Sequence, residues 1–198
     1  MYKLIFIILL NISLFSSSDF NDIKSQYFKS YDYEQMGRYS ESIKVLIPLY
    51  NKYPKGYTLN LRFGWLFYLN KNYNDSIKHY KIAALSSPYS LDPRLGLIRV
   101  YLDTYEFQKA QTVAYELLKI DYYNYYANIY VIQSLIAQSK YEIATNITNK
   151  MLALYPTDIA YLELLAIIYK ATNNSYLHKL YEDILILDPN NVLARSNF

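Results

Sequence analysis

The side chains that could do chemistry are few, and their spacing does not assemble a site. There are two histidines, His79 and His178, and no cysteine in 198 residues. His79 has no carboxylate or second imidazole three or four places on, where a helix would bring a metal ligand alongside it. His178 has Glu182 at that spacing, but two groups on one helix hold a metal poorly. Both histidines are expected to be exposed or half-buried surface residues. Glu182 and Asp183 are adjacent, so on a helix they point apart and do not converge as an acid–base pair. Gly37, Gly56, Gly64 and Gly96 stand isolated, and none belongs to a phosphate-binding loop. Without cysteine there is no disulfide, thiolate metal site, cysteine nucleophile or lipoprotein anchor. The expectation is a protein that is not an enzyme and has no metal or cofactor.

Composition favours a helical interior. Apolar residues make up 53% of the chain and charged ones 19%, far from the signature of a disordered segment. Four Gly and six Pro supply little material for the many tight turns of an all-β fold. The net charge of +3 is spread along the chain without a Lys/Arg run, so no nucleic-acid partner is expected. Residues 1–18 begin with Lys3, continue as an apolar stretch from Leu4 to Phe15 and end in three serines. That order is expected to be an export signal cleaved near Ser18, placing the protein in the periplasm or outside the cell. The alternative is an uncleaved inner-membrane anchor over residues 4–15, although a comfortable membrane helix needs about 20 apolar residues.

The elements that would position any functional side chain recur with a period of 34 residues. Aromatics fall at Tyr39, Tyr73, Phe107 and Tyr141, and small residues follow at Ser42, Ser76, Ala110 and Ala144. Proline closes the unit at Pro54, Pro88 and Pro156, with Tyr122 in the third slot. Before each aromatic, apolar residues lie three to four apart: Phe63, Gly64 and Phe67, then Leu97, Ile98 and Tyr101, then Val131, Ile132 and Leu135. This is a helix period. Each unit therefore reads as two helices, the second beginning at the recurrent aromatic and ended by proline, which lacks an N–H and disfavours helix in the residue before it. The small residue lets the two helices approach, while Leu46, Tyr80, Leu117 and Met151 fill the space between hairpins.

This pattern resembles the tetratricopeptide repeat, carried by Gly64, by Gly37 with Tyr39, by the small column and by the closing prolines. The resemblance implies an all-α, right-handed α-solenoid of about five hairpins, with units at about 23–56, 57–90, 91–124, 125–158 and 159–190 forming an array over 19–190. Residues 191–198 form a tail or a partial capping helix. The early Trp of the pattern is missing in every unit, and Lys29 and Ser30 depart from it as a terminal cap would. The fifth unit reaches Pro189 one residue early, and a deletion in the Asn173/Asn174 turn restores Leu177 and Tyr181 to core columns.

The family's architecture places partner contacts on a concave face lined by first helices. Mapped here, that face holds Tyr27 and Tyr31, then Leu61, Trp65 and Tyr68, then Arg99, then Tyr126, with Arg62 and Tyr130 beside them. The aromatics at Tyr27, Tyr31 and Trp65 stand where a carboxylate clamp would need Lys and Asn, so that clamp is not expected. The reading is an aromatic groove around Trp65, with Arg62 and Arg99 as polar handles, that binds an apolar or amphipathic segment of a protein partner. Packing between adjacent first helices is the competing role for the same aromatics. Two functions remain open: an exported interaction scaffold that helps assemble an envelope or secretion complex, and a self-associating structural adaptor without a free groove.

Overall fold

The computed structural model describes residues 17–197, so residues 1–16 of the expected export segment lie outside the described residues. Among the described residues every regular element is an α-helix: α1 (Ser17–Gln35), α2 (Tyr39–Lys52), α3 (Tyr57–Leu69), α4 (Tyr73–Ser86), α5 (Asp92–Asp103), α6 (Phe107–Leu118), α7 (Tyr125–Ala137), α8 (Tyr141–Leu154), α9 (Ile159–Ala171), α10 (Leu177–Leu187) and α11 (Val192–Asn197). None of these helices is long and apolar enough to cross a membrane. The chain divides into two compact units at the Ser87/Pro88 boundary. In the first, α1 pairs with α2 and α3 with α4, while α2 also packs on α3. In the second, the hairpins are α5–α6, α7–α8 and α9–α10, with first helices touching in the order α5, α7, α9. This is the all-α, solenoid-type hairpin stacking that the sequence period implies.

Four of the hairpins close over a small residue near the start of the second helix. Ser42, Ser76, Ala110 and Ala144 are all fully buried. The two serines repeat one bond 34 residues apart: Ser42 Oγ donates to the Ser30 carbonyl at 2.6 Å and Ser76 Oγ to the Gly64 carbonyl at 2.7 Å. Gly64 must be glycine, because a Cβ there would stand 2.5 Å from Tyr80 Cδ1. Leu46, Tyr80, Leu117 and Met151 are buried, as their place between hairpins requires. Lys29 is exposed, but Ser30 is wholly buried and does more than cap the array.

The turn inside each hairpin is a left-handed residue. Gly37, Lys71, Tyr105, Ser139 and Asn173 are spaced by 34 and carry φ of 70°, 57°, 59°, 57° and 52°. The N–H after each one bonds the carbonyl five residues back: Arg38 to Tyr33, Asn72 to Phe67, Glu106 to Tyr101, Lys140 to Leu135 and Asn174 to Tyr169. The next N–H toward the helix, that of the left-handed residue itself, bonds three residues back, which completes a Schellman closure in every repeat. Because Asn173 is in phase while Tyr181 and Ile184 are buried one place early, the shortening of the fifth repeat lies in the turn after Asn173. After it, Asn191 accepts from the Ala194 N–H at 3.0 Å and starts α11, whose Ala194 joins the α9–α10 core.

Only the first of these five turns uses glycine, the residue without a penalty for positive φ. Lys71→Gly and Ser139→Gly are each expected to add about 1 kcal/mol by relieving the left-handed strain of a Cβ. Thermal melting followed by circular dichroism should show a rise of about 2–4 °C for each substitution. An unchanged or lower midpoint would mean that the turns are not strained.

Candidate functional site

In the first unit the expected inner-face residues converge on a carboxylate that sequence reasoning passed over. Glu34, near the end of α1, accepts from Trp65 Nε1 at 2.6 Å through one oxygen and forms an ion pair with the Arg62 guanidinium through the other. Arg62 Nη2 also donates to Ser30 Oγ at 3.0 Å, and its guanidinium lies 3.9 Å above the Tyr31 ring. Ser42 Oγ donates to the Ser30 carbonyl, so the 2.8 Å contact between the two hydroxyls is donated by Ser30. The result is a directed chain from Arg62 to Ser30 to Ser42, in which the buried donors have acceptors.

Arg62 is therefore not a handle for a partner. Its side chain is 7% exposed and its charge is matched inside the fold, consistent with the packing role. What faces outward is aromatic: Tyr31 is exposed, and Trp65 and Tyr68 are half-buried and stacked with centroids 5.6 Å apart. Leu61 is half-buried beside them. Tyr27 OH donates to Thr58 Oγ1 at 3.4 Å, and burial raises its phenol above the usual range.

The expected surface role fails for His79. This residue is buried at the back of α4, with Tyr50, Phe63 and Phe67 rings 5.0–5.3 Å from its own. Its Nδ1 meets Asn60 Oδ1 at 2.8 Å, while Asn60 Nδ2 donates to the Pro54 and Gly56 carbonyls, each at 2.9 Å. Asn60 occupies the place of the pattern's missing Trp. Two repeats on, Asn128 makes the matching bonds to the Tyr122 and Asn124 carbonyls. Burial, helped by Lys78, lowers the His79 pKa to about 4. Asp75 opposes that shift. His178 is exposed, as expected.

In the second unit the structure brings together Arg99 and Tyr130, whose guanidinium and hydroxyl are 3.5 Å apart across α5 and α7. Tyr126 is exposed, with its ring edge-on to Tyr125 at 5.1 Å. Behind it, Tyr125 OH donates to Asp158 at 3.0 Å, and Asp158 also caps α9 through the Tyr161 N–H. Tyr161 OH donates to the Tyr125 carbonyl at 2.8 Å. Burial first, and the Asp158 carboxylate second, push the Tyr125 pKa up to about 12. Glu34, Ser30, Asn60 and Asp158 were missed because a polar residue in a repeat column reads as solvated. Glu34 sits one inner-face place away from the next hairpin's Arg62 and Trp65, and that juxtaposition was the available signal. Among the described residues, no three His, Asp or Glu side chains stand where they could hold a metal ion.

Removing the Glu34 carboxylate strands a buried cation. Glu34→Ala is expected to destabilise the first unit by about 3–5 kcal/mol, read in urea by the fluorescence of Trp65, the chain's one tryptophan. A loss below about 1 kcal/mol would match an exposed pair instead. The pH dependence has the opposite origin. His79 is neutral in the fold, so the unfolded chain binds the extra proton, and stability is whole above pH 6.5 and falls as pH drops toward 4. The loss is on the order of 3 kcal/mol, and in a His79→Gln variant that slope should disappear.

No protein-family model and no curated protein sequence matches the chain. Solved structures do. A tetratricopeptide repeat protein from Parabacteroides merdae superposes with a TM-score of 0.80 at 17% identity, covering 89% of this chain and 72% of its own. MamA from Desulfovibrio magneticus gives 0.76 at 12% identity, over 86% of this chain and 97% of its own. YrrB, described as a tetratricopeptide protein with an unusual peptide-binding site, gives 0.69 at 10% identity, over 85% of this chain and 87% of its own. At such identities the likeness is one of architecture, and the architecture of this chain is that of the tetratricopeptide-repeat proteins.

Proposed function

We propose that this protein is an exported interaction scaffold that holds a segment of a partner protein against its first helices, the concave side in tetratricopeptide arrays, during assembly of an envelope or secretion complex. The observation that carries this reading is the Trp65–Tyr68 stack, held at one end by Glu34 and left half-open at the other. Its polar end is satisfied within the fold, so a partner meets aromatic surface without having to desolvate a bare charge. Tyr126 offers the same chemistry on α7, with Tyr130 and Arg99 adjoining. Support for a protein partner comes from the fold, and support for export comes from the signal-like order of residues 1–18.

A photo-crosslinking amino acid at Tyr31 or Tyr68 should capture a discrete partner in the native envelope, whereas the same group at Ile47 or Leu85, exposed on second helices, should not. Trp65→Ala should cut that capture by about tenfold while helicity is retained, the effect of losing one aromatic anchor. Equal capture from both faces, or no effect of Trp65→Ala, would remove the groove. N-terminal sequencing of the mature chain should begin near residue 19. Phe20 and Phe28, both exposed on α1, favour a second reading in which the chain self-associates as an adaptor. Light scattering over a concentration series separates the two.

A further inference from the structure

The repeat that departs from its own pattern opens a cleft on the opposite side of the hairpins. Second helices α2, α4 and α8 each run 14 residues, but α6 stops after 12, at Leu118. Two positions beyond the end of the full-length helices, where three repeats carry proline, this one carries Tyr122 followed by Tyr123. Between the shortened α6, the loop after it and α8 lies a cleft of about 730 Å³. Its walls are Tyr115, Tyr122, Tyr123, Ile143, Ile147 and Met151. The first four of these are exposed, an unusual concentration of apolar surface at one place.

The charges of this cleft have one sign. Its charged lining residues are Lys119 and Lys150. Lys150 Nζ donates to the Tyr122 hydroxyl, and the Tyr122 and Tyr123 rings are edge-on to each other at 4.9 Å. The ammonium is thereby held at the rim beside the Tyr122 phenol. A volume of this size takes two or three large side chains, and the lysines select what flanks them.

We propose that the cleft between α6 and α8 is a second docking site, which takes an amphipathic segment of a partner protein that inserts apolar side chains and sets carboxylates against Lys119 and Lys150. Within the second unit the cleft is lined mainly by α6, α8 and the loop after α6, so it is a different surface from the one that carries Tyr126 on α7.

The probe is a short helical peptide with leucine and phenylalanine on one face and aspartates at its flanks, titrated into the ¹⁵N-labelled full chain. A twin peptide carries lysines in place of the aspartates. Shifts should cluster at the cleft residues, and the acidic peptide should bind at least about tenfold tighter than its twin. Lys150→Glu should reverse that preference, and Ile143→Glu, at an exposed position, should abolish binding without loss of helicity. Tyr126→Ala should change nothing. If Tyr126→Ala abolishes binding instead, the peptide sits on the first-helix face and this site is refuted while the groove stands. Equal binding of both peptides also overturns the proposal. So does tighter binding of a free fatty carboxylate such as dodecanoate, or a concentration-dependent mass increase cancelled by Ile143→Glu.

Discussion

The close approach of two helices at one small residue governs what the rest of this chain can do. Ser42, Ser76, Ala110 and Ala144 are fully buried between the helix pairs they join. Where the facing position is also minimal, as at Gly64, the neighbouring Tyr80 ring lies directly on the backbone. Interiors packed this tightly tolerate little volume change, so contact geometry is copied from one hairpin to the next. The copied geometry fixes which face of each first helix looks outward. Every candidate binding residue inherits its direction from that contact.

Between these contacts the chain turns by a backbone device that ignores side-chain identity. Glycine, lysine, tyrosine, serine and asparagine occupy the same left-handed position in successive repeats, and each is followed by the same hydrogen bond to the carbonyl five residues back. Local preference alone would not choose Lys71, Tyr105 or Ser139 there. They are held there because the flanking helices are already committed by burial. The ordering of influence is then clear: packing decides the turn, and the turn residue bears the cost.

This ordering explains which features were legible in the sequence. Columns defined by size and apolarity, such as the small residue, the inter-hairpin filler and the one-place shift of Tyr181, follow from burial and were readable as periodicity. Features defined by pairing between different columns were not. Glu34 and Arg62 are 28 residues apart, an interval that matches no repeat period, so their meeting is invisible to a search for recurrence. Asn60 likewise replaces the pattern's aromatic with an amide that ties down the preceding turn, and it buries His79 behind it. A lone polar residue on an apolar face reads as solvated until its partner is placed, and for Glu34 the partner is supplied by a different hairpin. The cleft beside α6 was half-visible, since Tyr122 stood out as the exception to the proline column. What was missing was the early end of α6, which propensity does not mark.

The two candidate surfaces differ in how their charges are used, and this has a consequence for recognition. On the first-helix face of the first unit the cation is spent inside: Arg62 is matched by Glu34 and Ser30, and what remains for a partner is ring surface. Burial of such surface contributes about 25 cal/mol per Å² and responds little to salt. In the second unit, Lys119 and Lys150 stand at the rim of an apolar cleft, where charge adds to association rate and selects sign more than it adds affinity. Rim charges are screened over about 8–10 Å at physiological ionic strength, so contacts made there weaken as salt rises. One hairpin geometry, repeated with a buried ion pair in one place and a shortened helix in another, thus yields a salt-tolerant aromatic surface and a salt-sensitive cationic one. The difference arises from departures from the repeat, because the repeated columns themselves are consumed by the core.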